Sequence, residues 1–159
     1  LASAMEFDGI VHSRLMQVKN RPKFFGQQLI VDIDDNVVGE EEIMLAGATD
    51  IGIYQVYDLV DNLGGVAYPA HIDKSSTSLL SNLGFWDPSM KFPIAELSYG
   101  CDINTIKDRK DLQGLEFVRG SDAHYPDQLK EPFQYIDLAA KTATEFINKL
   151  KNKFIITYI

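Results

Sequence analysis

Leu115-Glu116-Phe117-Val118 leads through Arg119 into Gly120-Ser121-Asp122-Ala123-His124-Tyr125. This reads as a short strand closed by an Asp-x-His pair. In an α/β protein the loop after a parallel strand is where chemistry usually sits. A carboxylate and an imidazole two residues apart can share one divalent ion or hold two neighbouring ones. A second predicted strand ends the same way, in Gly64-Gly65-Val66-Ala67-Tyr68-Pro69-Ala70-His71-Ile72-Asp73. Two strand ends that each deliver a histidine and an aspartate point to part of one metal-dependent hydrolytic site.

A length of 159 residues suits one domain, and 45% hydrophobic with 24% charged content is ordinary for a globular chain. The net charge of -8 opposes a phosphate backbone, so nonspecific nucleic-acid binding is not expected. Phosphate chemistry stays open, because bound metal ions invert the local field. With Cys101 as the one cysteine, neither an intrachain disulfide nor a thiolate zinc cluster can form, which fits a reducing, cytoplasmic setting. No apolar run approaches the ~18 residues of a membrane span. Leu1-Ala2-Ser3-Ala4-Met5-Glu6 has neither an initiator Met nor the order of a signal peptide and reads as a cut through a longer sequence.

Apolar spacing predicts a helix over 1–20, with Met5, Phe7, Ile10, Val11, Leu15 and Val18 on one face. Residues 28–33 and 37–38 flank Asp34-Asp35-Asn36 as a hairpin arm, and Glu40-Glu41-Glu42 opens a short helix ending near Gly47. Thr49 or Asp50 caps a helix through Ile53, Val56, Tyr57 and Val60, which Gly64-Gly65 stops. Strands are expected at 66–70, 92–98, 115–118 and 133–138, with helices at 75–83, 104–109 and 142–154. This order indicates an α/β fold of parallel βα units, in one partial domain over 1–159. Four core strands are too few to close a barrel and leave one sheet flank open. A missing N-terminal segment or a second copy is expected to cover it.

Each candidate residue has a plainer reading beside the chemical one. Asp122 and His124 are metal-ligand candidates or a turn cap and a loop residue. A lone histidine at 71 is more often a satisfied core residue than a ligand, and the convergence of successive strand ends raises the odds of the ligand. Asp73 orients His71 or caps a helix starting at Ser75, and the cap is favoured. Glu96 is a candidate for supporting the ligands from its strand. Lys74, Ser75 and Ser76 meet a phosphate at a helix start or are merely solvated, and Arg119 is a further phosphate candidate. His12 and Cys101 are read as ordinary surface and packing residues.

The pairing of Gly-Gly-Val-Ala-Tyr-Pro-Ala-His (64–71) with Gly-Ser-Asp-Ala-His (120–124) resembles the third and fourth motifs of the PHP family, the polymerase and histidinol phosphatase domain. The stretch from Phe25 to Phe85 looks like a bacterial subgroup of free-standing PHP hydrolases, so the resemblance spans nearly the whole chain. It implies the C-terminal βα units of a distorted (β/α)7 barrel, here with a small β-hairpin insertion. It also implies up to three divalent metals (zinc, manganese or iron) and hydrolysis of phosphoesters by metal-activated water. The metal residues carried over are His71, Asp122 and His124, with Asp73, Glu96 and Arg119 as weaker supporting or phosphate-binding positions. The family's His-x-His motif, second-motif histidine, bridging glutamate and a further histidine have no counterpart in 1–159. The resemblance therefore implies a phosphoesterase parent, acting on a phosphorylated small molecule or nucleotide, of which this chain alone is expected to be inactive. Two other readings are a silent PHP-like interaction or regulatory module and a barrel metallohydrolase of amidohydrolase type. The lack of a strand-end lysine suited to carbamylation disfavours the latter.

Overall fold

A computed structural model describes residues 2–152 and 157–158, which fall into two compact units, Leu1–Gln55 and Val56–Ile159. In the first unit, α1 (Ala2–Ser13) and the single turn α2 (Pro22–Phe25) precede a hairpin of β1 (Leu29–Val31) and β2 (Val37–Glu40). The hairpin is antiparallel, with a register shift between Ile30 and Val31. Asp32 shapes its turn, since Oδ1 accepts from the backbone N–H of both Asp34 and Asn36 at 2.9 Å. Leu29, Ile30, Val31 and Val37 are all exposed.

Two helix expectations in this unit give way to extended backbone. The first helix stops at Ser13 rather than reaching residue 20, because 14–20 lies beside 42–50 with sheet-like hydrogen bonds. Asn20 N–H donates to Glu42 O at 2.7 Å, Met44 N–H to Val18 O at 2.9 Å, and Asp50 N–H to Arg14 O at 3.1 Å. Residues 40–47 form no helix either. The Gln28 amide nitrogen donates to Glu41 O and Ile43 O, and its oxygen accepts from Leu45 N, using backbone groups that a helix would need. His12, read as an ordinary surface residue, places Nε2 3.1 Å from Glu41 Oε2.

The helix α3 (Ile53–Asn62) runs across the boundary between the units and ends as expected, at Gly64 with φ 77°. Thr49 does not cap it: Thr49 Oγ1 accepts only from Ile51 N, at 3.4 Å, and Asp50 pairs with Arg14. The second unit continues with α4 (Leu79–Leu83), β3 (Ile94–Ser98), α5 (Asn104–Lys107), β4 (Glu116–Gly120), β5 (Gln134–Tyr135), α6 (Ala143–Lys151) and β6 (Thr157–Tyr158). β3 and β4 pair in parallel, with Ile94 opposite Glu116 and Ser98 opposite Gly120, while β5 pairs antiparallel with β6. On one face of the parallel pair Ile94 and Val118 are buried with Leu150 of α6, and Val66, Tyr68 and Ile136 pack against them. Ala95 and Leu97 are fully buried on the opposite face. No helix among the described residues is long and apolar enough to cross a membrane.

Residues 66–70 form no strand. Proline at 69 has no N–H to donate, and the chain turns at His71 with φ 34°, so among the described residues the backbone bonds of this segment to β3 are those of Pro69 O and Ile72 N with the Glu96 backbone (2.9 and 2.8 Å). The strand expected at 133–138 shrinks to two residues. Thr142 caps α6 by accepting from Glu145 N, and the expected extension of this helix to Phe154 lies outside the described residues.

The helix expected from Ser75 begins only at Leu79, because Ser78 rather than Asp73 is its cap. Ser78 Oγ accepts from Ser81 N at 3.0 Å while Ser81 Oγ accepts from Ser78 N, a reciprocal capping box. The same hydroxyl donates to Lys74 O at 2.7 Å, and Ser78 is buried. Ser78→Ala leaves both backbone groups without this partner and is expected to cost about 1–2 kcal/mol. Urea denaturation checks it, and an unchanged midpoint would show that the cap is dispensable.

Candidate functional site

Parallel pairing in register brings the ends of β3 and β4 side by side, and the 71–74 loop lies against them. Asp73 Oδ1 accepts from Ser98 N at 2.7 Å, which fastens that loop to the end of β3. Asp73 is thus a brace for the strand end, not the helix cap expected for it. One residue further on, Lys74 Nζ donates to Asp122 Oδ2 in the loop after β4. Segments 48 positions apart are joined by this ion pair.

Asp122 adopts a left-handed conformation with φ 50°, and His71 is also left-handed. Such backbone at residues with a Cβ costs roughly 1–3 kcal/mol and clusters at functional sites. The hydrogen bond from Lys74 holds the Asp122 carboxyl below the usual carboxylate range; partial burial opposes this, and the charges of Lys74, His71 and His124 reinforce it. Asp122 Oδ1 lies 3.7 Å from His124 Nε2. The imidazole of His124 is largely exposed, and its backbone N–H donates to Gln128 Oε1 at 2.7 Å, which organises the loop.

Glu96 sits beneath both loops. Its carboxylate Oε1 accepts from His71 N at 3.3 Å. Across the ladder, a Cβ at Gly120 would come within 2.6–2.8 Å of the Glu96 carboxylate, so the absent side chain makes its seat. Burial, and then the negative charge of Glu96, push the Tyr68 phenol above its ordinary pKa. Both residues line a cleft of about 250 Å³ whose walls include Val118, Gln134, Ile136 and Phe146. Glu96 thus touches the His71 backbone from β3.

Arg119 turns elsewhere, with Nη1 donating to Tyr99 O at 2.9 Å, and its backbone is clamped by Gln134 through bonds of 2.9 and 2.5 Å. The cationic group of this phosphate candidate is therefore engaged at the end of β3. Ser75 and Ser76 are exposed and stand at no helix start, which removes the physical basis for a phosphate there. Burial raises the Cys101 pKa, the Asp73 charge adds to this, and Arg119 opposes it; a thiol so placed is a poor nucleophile.

By donor chemistry His71, Asp122 and His124 suit a divalent ion of mixed nitrogen and oxygen preference. Among the described residues the Nδ1 of His71 is buried without a hydrogen-bond partner, which leaves its bonding capacity unused. Among the described residues, however, no three His, Cys, Asp or Glu side chains converge as a metal-holding group. The loops bring together Asp122, His124, Lys74 and the Glu96-braced backbone of His71. Sequence reasoning overlooked Lys74 as the partner of Asp122, and Gly120 as the seat of Glu96. The signal for the second was there: Glu96 is the one charged residue of a mostly apolar strand, on the same face as Ile94 by alternation. No family model matches the chain, and no match was found among curated proteins or solved structures.

Proposed function

We propose that this chain carries part of the active site of a metal-dependent phosphoesterase, as its resemblance to the PHP family implies, within the C-terminal βα units of such a barrel. The observation that supports this best is the meeting of the two motif loops at Asp122, over a Glu96 carboxylate that serves both. The parallel β3–β4 pair suits the βα reading. Asp122 and His124 would hold a divalent ion (zinc, manganese or iron), with His71 as the third donor. When bound, such an ion acidifies water and polarises a phosphoryl oxygen.

The chain's own groups supply the rest. Asp122 presents an ionised carboxylate at neutral pH, because its Lys74 partner favours the charged form. Glu96 fixes the His71 backbone, and Asp73 fixes the loop that carries both His71 and Lys74. Lys74 is the cation nearest Asp122 that could meet a phosphoryl oxygen. Three donors do not make a multi-metal cluster, so on this reading hydrolysis would need a chain that also supplies the upstream histidines the resemblance implies.

The test has two stages. Native mass spectrometry of this chain with manganese or zinc is expected to show one ion bound per monomer. The parent protein is then expected to hydrolyse an aryl phosphate when supplied with the same metals. No hydrolysis of any phosphoester across metals and pH would remove the phosphoesterase reading and favour the silent interaction module.

A further inference from the structure

Both oxygens of the Asp122 carboxylate face a cationic or potentially cationic partner: Oδ2 accepts from Lys74 Nζ, and Oδ1 faces His124 Nε2 at 3.7 Å. Lys74 does not reach this position by chance of a floppy side chain. Its backbone N–H donates to His71 O at 3.1 Å, and its carbonyl accepts from the buried hydroxyl of Ser78 at 2.7 Å. The backbone of Lys74 is thereby anchored on the same loop as His71, within side-chain reach of the β4 loop. The ammonium end is different. The Lys74 side chain is 39% exposed and the Asp122 side chain 35%, so the head group can leave toward water on its flexible four-carbon stem.

We propose that Lys74 is a built-in competitor for the metal: a divalent ion gains Asp122 by exchanging with the Lys74 ammonium rather than by adding to a free carboxylate. This rests on the metal reading above and specifies how that site is controlled. Two consequences follow from the chemistry. The pair holds the Asp122 carboxylate in place ahead of the ion, so the donor is positioned before it is needed. The pair also sets a threshold, since an ion must outcompete a resident positive charge. A hard divalent ion does so where a monovalent one, of the same charge as the ammonium, gains little. Once displaced, the ammonium stays tethered within a side-chain length of the carboxylate, where a phosphoryl group would arrive. One lysine is then paired with the carboxylate before the ion binds and with the substrate anion afterwards.

The experiment is calorimetric titration of manganese(II) chloride into the wild-type chain and into Lys74→Met, Lys74→Arg and Lys74→Met/Asp122→Asn variants. Lys74→Met is expected to bind manganese about twofold to fivefold more tightly than wild type, the size of a partly exposed ion pair that no longer has to be broken. Lys74→Arg keeps the charge and is expected to stay near wild type. The double variant is expected to lose the gain, because the competition acts through Asp122. Binding by Lys74→Met alone, with none by wild type, supports the proposal most strongly. Equal or weaker affinity in Lys74→Met overturns the exchange while leaving the metal reading intact. No manganese binding by either protein removes the metal reading and the exchange with it. Lys74→Gln repeats the measurement should the methionine variant fail to fold, as judged by circular dichroism.

Discussion

If the proposed metal site exists, Asp122→Asn is expected to weaken divalent-ion binding by about 100-fold or more, and to bring any phosphoester hydrolysis that depends on that ion to background. Asparagine is the informative substitution. It has the shape of aspartate and is among the few residues that accept a left-handed backbone readily, so the φ of 50° at this position is kept. What is lost is the charge that faces Lys74, His71 and His124. Alanine would mix loss of the donor with added backbone strain. Calorimetry with manganese measures the first effect, and release of phenolate from an aryl phosphate measures the second. An asparagine variant with native affinity and rate would take Asp122 out of the site, and would leave the Asp-x-His loop as an ordinary strand-end turn.

Gly120→Ala is expected to cost about 1–3 kcal/mol of stability and to displace the Glu96 carboxylate from the His71 N–H. The new methyl carbon would lie 2.6 Å from the nearest Glu96 atom and within 2.8 Å of both carboxylate oxygens. The carboxylate is the end of a flexible side chain, so it yields before the backbone does, and in yielding it leaves the strand-end loop unsupported. The cycle with Glu96→Ala isolates this contact. With the carboxylate gone, the three atoms nearest the new methyl are gone too, so the two changes together should cost about 1–2 kcal/mol less than their sum. Denaturation curves of the four proteins provide the comparison. Strict additivity would mean that glycine at 120 serves the backbone alone.

Much of the local structure could be read from the residues, and the reasons for the rest are specific. Asp32, Asp34, Asp35 and Asn36 between apolar segments identify the hairpin, and Gly64 identifies the end of α3. The Gly-Ser-Asp-Ala-His loop does follow a strand that is parallel to its neighbour. Helix at 14–20 and 40–47 was not foretold correctly, because the deciding interactions are long-range: these segments hydrogen-bond to each other and to the Gln28 amide. Strand at 66–70 was expected from its hydrophobic run after Gly64-Gly65, but a proline and a left-handed histidine interrupt the ladder. Within the site, the neighbourhood of Asp122 and His124 follows from their spacing. The pairing with Lys74 and the seat at Gly120 depend on the register of β3 against β4, which no local pattern reports.

The left-handed turns at His71 and Asp122 bear on how this loop region can change over evolutionary time. At each position glycine would relax the backbone, and a β-branched residue would strain it further. Drift toward greater stability therefore runs through the loss of the imidazole and of the carboxylate, while drift that keeps both groups must tolerate the conformational penalty. Selection acting on folding alone would erode these two residues first. Their persistence in other versions of this chain would thus be a record of chemistry rather than of packing.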